Sequence, residues 1–116
     1  MDETNKLDIK EGSISFWTKA NQFDWSGDGI VKFFEKSFDG NSIFILKDSD
    51  SRLKFFHVYL GKGRTNVEID VKNLDTKEKH FIVATWSVNS SEISLYVDGG
   101  SKPELVRKEK INYGIA

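Results

Sequence analysis

The sequence has no cysteine, one proline, one methionine and two histidines. Without cysteine there can be no disulfide and no thiolate metal site, although compartment is left open because many secreted sandwiches also lack cysteine. His57 and His80 are not in a His-x-x-x-His arrangement, so no specific metal signature exists. Charge of one sign is also missing. Lys and Arg number 17 against 18 Asp and Glu, a net of −1, and the two signs are interspersed. No sequence-wide field is available to hold a polyanion, which weighs against DNA or RNA as partner. No apolar run approaches a membrane span, and the opening MDETNKLDIK lacks the apolar core of a signal peptide. Nor is there a nucleophile elbow, a phosphate-cradling glycine loop or a defensible Ser/His/Asp order.

What the chain does have is alternation with a period of two. From His80 to Gly100, Ile82, Ala84, Trp86 and Val88 fall on one face and Phe81, Val83, Thr85 and Ser87 on the other. After the polar turn Asn89-Ser90-Ser91, Ile93, Leu95 and Val97 oppose Ser94, Tyr96 and Asp98, which reads as a β-hairpin. Ile14 and Phe16 oppose Ser15, Trp17 and Lys19 in a strand entered at Gly12. The run Ile30 to Ser37 is apolar on both faces near its middle, which suits a strand covered on both sides. Ser42 to Lys47 and Arg52 to Leu60 follow as strands, and Thr65 to Val71 alternates cleanly. Leu7 and Ile9 suggest a short edge strand, and Leu105 to Arg107 and Lys110 to Ile115 suggest two more. Pro103 fits a loop or an edge, since it cannot donate to a ladder. No stretch sustains helical periodicity. Six to nine short strands with closely spaced turns predict one all-β antiparallel sandwich over residues 1–116.

Two of these stretches carry a resemblance. Ala84-Thr85-Trp86, a polar turn, then Ile93-Ser94-Leu95-Tyr96-Val97-Asp98-Gly99 resembles the central hairpin of laminin-G-like domains, members of the concanavalin A-like lectin and glucanase superfamily. Gly12-Ser13-Ile14-Ser15-Phe16-Trp17-Thr18-Lys19 resembles their early strand, in the right order and at a suitable distance. Lys79-His80 departs from the Trp-His that often opens the central hairpin in that family. The resemblance implies a jelly-roll-like sandwich of two antiparallel sheets and a non-catalytic module for a glycan or a protein surface. It also implies an extracellular or cell-surface parent protein. Domains of that family usually run longer, so a short or excised version is expected. Its sheet edges could be completed by the parent chain, by a partner or by a second copy in a homo-oligomer.

For chemistry, Glu68-Ile69-Asp70-Val71 resembles the catalytic strand of family 16 glycoside hydrolases. The second carboxylate which that pattern requires is replaced by Lys72 and Asn73, so the pair needed for retaining hydrolysis is absent. Calcium is implied by some relatives, and acidic loops stand at Asp24/Asp28, Asp39/Asn41 and Asp48/Asp50. Six to eight oxygens exceed what any one of them offers, and Asx turns explain each. Aromatic rings are the remaining signal, because sugar faces stack on flat rings while carboxylates and amides take the hydroxyls. Trp25, an indole in a Gly/Asp-rich loop with no periodicity reason to be core, leads the candidates. Trp17 and Tyr96 follow, with Asp28 and Asp98 as the accompanying carboxylates; Trp86 is expected in the core.

Overall fold

A computed structural model describes residues 6–98 and 105–113. The expectations placed on Gly99, Gly100, Pro103 and Ile115 lie outside the described residues. Nine strands follow one another: β1 (Lys6–Asp8), β2 (Glu11–Trp17), β3 (Val31–Phe38), β4 (Asn41–Lys47), β5 (Arg52–Tyr59), β6 (Gly63–Asp70), β7 (Phe81–Ser87), β8 (Glu92–Asp98) and β9 (Leu105–Lys110). Among the described residues there is no helix. A five-stranded sheet in the order β1-β2-β7-β8-β9 faces a four-stranded sheet in the order β3-β4-β5-β6, every pairing antiparallel.

Alternation decides which residues meet between the sheets. From the five-stranded sheet Ile14, Ile82, Ala84, Trp86, Ile93, Leu95 and Val97 point inward, and from the other come Ile43, Ile45, Leu53, Phe55, Val67 and Ile69. Burial of this set supplies the driving force, at roughly 25 cal/mol per Å² removed from water. The β3–β4 hairpin turns on Asp39 and Gly40 at φ 51° and 82°. Two successive positive φ values give the primed turn whose twist suits a two-residue hairpin, and glycine takes the second without strain.

Two expectations are corrected. Ile30 to Ser37 is not covered on both sides: β3 is an edge strand, Ile30 is 64% exposed, and Lys32, Glu35, Lys36 and Ser37 face solvent. A register shift between Lys32 and Phe34 explains the misreading, since an extra residue in one strand breaks strict alternation and leaves Phe33 and Phe34 both half-buried. The second correction concerns Trp25, which is 2% exposed and belongs to the core. Its loop carries the chain from one sheet to the other, and the indole fills the space beside that crossing. Phe23 lies edge-on at 4.7 Å, Phe33 stacks at 6.0 Å and His80 meets it edge-on at 5.5 Å. No face is left for a sugar.

The crossing is pinned at several points. The Thr18 and Asn21 amides donate to the His80 and Thr76 carbonyls. Lys47, at the inward end of β4 and 1% exposed, donates through Nζ to the carbonyls of Gly27 at 2.6 Å and Gly29 at 2.7 Å.

Candidate functional site

On β2 the inward positions Ile14 and Phe16 leave Ser13, Ser15 and Trp17 on the outer face of the five-stranded sheet. Trp17 is 60% exposed. Register sets Trp17 opposite Phe81, and Phe81 opposite Asp98; one row along, Ser15, Val83, Tyr96 and Val106 stand side by side. The Trp17 and Phe81 rings meet at 5.0 Å between centroids with their planes inclined by 46°. Lys108 holds its ammonium 5.9 Å from the centre of the Tyr96 ring.

Trp17 also stands at the mouth of an open groove of about 940 Å³ at the end of the sandwich. Phe16, Phe23, Phe33 and Phe34 line it with apolar rings, and Lys19, Gln22 and Lys32 line it as well, the Lys32 ammonium being paired with Glu35 at 2.9 Å. A ligand with one apolar face and several hydroxyls would call for such flat rings beside a few donors. Among the described residues that line the groove there is no carboxylate and no histidine.

Of the five residues singled out in sequence, the fold therefore brings Trp17, Tyr96 and the backbone position of Asp98 onto one sheet face. Trp25 is removed to the core. Asp28 stands apart, exposed between the two glycines that Lys47 holds. Sequence reasoning passed over Phe81 and Gln22. Phe81 was legible in principle, since it lies opposite Ile82 and Ala84 in the alternation. Gln22 sits in an irregular loop and carried no periodic signal.

Several other acidic groups are engaged within the protein. Asp24 accepts from the amide and hydroxyl of Ser26 at 2.9 and 2.8 Å, and these bonds hold its carboxyl below the usual range. Asp48 and Asp50 share the Lys54 ammonium at 3.0 and 3.1 Å, and the Lys54 hydrogen bond lowers the Asp48 pKa. Glu68 accepts from Asn66 at 3.1 Å and lies 3.9 Å from Arg52; Lys72 and Asn73 are exposed beyond the end of β6. Among the described residues no three His, Cys, Asp or Glu side chains converge as a metal site would require.

A family model described as the concanavalin A-like lectin/glucanases superfamily, of the laminin G type, matches residues 2–112. No curated protein and no solved structure matches the chain. Laminin-G-type domains are generally non-catalytic binding modules and typically occur in extracellular proteins. With its two facing antiparallel sheets and a family match over nearly its whole length, the chain belongs to the laminin G group of the concanavalin A-like lectin/glucanase superfamily.

Proposed function

We propose that this domain is an extracellular or cell-surface recognition module whose ligand is a carbohydrate, bound where Trp17 overhangs the aromatic groove. The observation that carries the reading is the Trp17 indole. A large ring left 60% exposed on the face of the sheet that lies away from the core has no role in that core. Its neighbours suit a sugar better than an apolar peptide, because Gln22, Lys19 and Lys32 supply donors beside the rings that line the groove. A glycan array is the test, run with the intact protein and with Trp17→Ala. Hits are expected for the first and their loss for the second, with unfolding free energies from urea melts that agree to within about 1 kcal/mol. A blank array for the intact protein contradicts the reading.

Assembly through open edges is the other reading of a small sandwich. Here two of the four edge strands are guarded. β3 is bulged and presents Lys32, Glu35 and Lys36, and β9 reads Leu-Val-Arg-Lys-Glu-Lys. Charge and bulges of this kind discourage edge-to-edge pairing, which favours a monomer that binds over a unit that assembles.

A further inference from the structure

The sequence holds seven asparagines, and Asn89 alone is followed at the second position by a hydroxyl residue, in Asn89-Ser90-Ser91. Asparagine, any residue but proline, then serine or threonine is the acceptor pattern for an N-linked oligosaccharide, and it calls for a surface loop. The fold supplies one. Asn89 stands in the reversal between β7 and β8, where the Ser91 amide donates to the Val88 carbonyl at 3.1 Å and the Ser90 amide to the Ser87 hydroxyl at 3.2 Å. Asn89 and Ser90 are exposed, and among the described residues no hydrogen bond engages the Asn89 side chain. Asn41 and Asn66 differ, since the first accepts from the Leu60 amide and the second donates to Glu68.

We propose that Asn89 is an N-glycosylation acceptor, a proposal that rests on the extracellular placement given above and not on the ligand. Nδ2 of Asn89 attacks the anomeric carbon of an oligosaccharide carried on a polyprenyl diphosphate. The bond from that carbon to the diphosphate oxygen breaks and a nitrogen–carbon bond forms. One Nδ2 proton passes to a base of the transferase, and the polyprenyl diphosphate leaves with the bonding pair. Position makes the product compatible with the rest of the fold. Phe81, beside Trp17, and Ser87, beside the turn, stand at opposite ends of β7, about 20 Å apart at six residue rises. A glycan on the turn therefore leaves from the end of the hairpin away from the aromatic groove, on a side chain that fills no part of the core.

The test expresses the whole chain behind a secretion signal in cultured animal cells. The product is weighed by mass spectrometry before and after peptide-N-glycosidase F, which removes an N-linked glycan and leaves aspartate where it was attached. The secreted chain is expected to carry a single glycan that is lost on digestion; a chain held back in the cells is read the same way after lysis. Asn89→Gln and Ser91→Ala are each expected to abolish the modification, while Ser90→Ala keeps it, because the middle position of the pattern is not read. Should Ser91→Ala disturb the turn, where Ser91 has φ 57°, Asn89→Gln carries the test alone. A chain that emerges at the mass of the bare polypeptide overturns the proposal, as does a glycan that survives Asn89→Gln. The glycan array separates this inference from the carbohydrate reading, since binding is expected to be the same with and without the Asn89 glycan. A blank array for a chain occupied at Asn89 overturns the carbohydrate reading only, and a bare chain that binds sugars overturns this inference only.

Discussion

Trp17 and Trp25 occupy neighbouring stretches of sequence and opposite environments, one 60% and the other 2% exposed. Trp17 was readable because it sits in a strand, where alternation with Ile14 and Phe16 assigns it a face. Trp25 was not, because a loop has no period and its burial depends on how that loop crosses between sheets. Trp25→Ala should therefore behave as a core truncation, costing about 3–5 kcal/mol in a urea melt. His57 offers a second residue-scale prediction. It is fully buried; its Nε2–H must donate to the Ile9 carbonyl at 2.8 Å, which leaves Nδ1 to accept from the Tyr113 hydroxyl at 3.0 Å. Burial lowers the His57 pKa below the ordinary 6.5, and burial beside Tyr59 pushes Tyr113 up to about 12. In the folded state the imidazole resists protonation, so the unfolded chain binds the proton first. Stability is full above about pH 6.5 and declines as the pH falls from there toward the folded-state value. His57→Gln, which can still donate to Ile9 and accept from Tyr113, should flatten that part of a pH series of urea midpoints. A further fall, below the ordinary carboxylate value of 3.8, is expected as Asp24 and Asp48 are protonated.

Elements of strict period were the most legible. The β7–β8 hairpin, the inward set Leu53, Phe55 and His57 on β5, and Val67 and Ile69 on β6 all stand where alternation puts them. β3 was misread because a bulge is a local count of residues that propensity does not register. Nor did anything in the sequence announce Lys47. A lysine at the end of an apolar strand reads as a solvated terminus, yet its stem is buried and its ammonium clamps two glycine carbonyls of the β2–β3 loop. Only the fold could bring residues so distant in sequence together. Lys47→Met keeps the stem and removes the donor, so Gly27 and Gly29 lose their partner. The expected cost is about 1–3 kcal/mol, with faster amide hydrogen exchange confined to residues 24–29.

At the scale of the whole molecule, two sheets were foreseeable from the number and patterning of strands, and the laminin G resemblance agrees with the family match over residues 2–112. The grouping of a site was harder. Trp17, Phe81 and Tyr96 belong to three strands whose neighbour relations place the early β2 beside the late β7, a pairing that alternation does not specify. With β3 bulged and charged, β9 charged and β1 short, the domain should run as a concentration-independent monomer of 13.3 kDa by light scattering.

The central claim is that one tryptophan of three faces the ligand. The most direct measurement is a nitrogen-15 NMR titration with the oligosaccharide that binds best, following the three indole N–H signals. The Trp17 signal should shift in step with saturation while those of Trp25 and Trp86 stay in place. A shift confined to Trp25 or Trp86, or a bound sugar that leaves the Trp17 signal unmoved, would contradict the account.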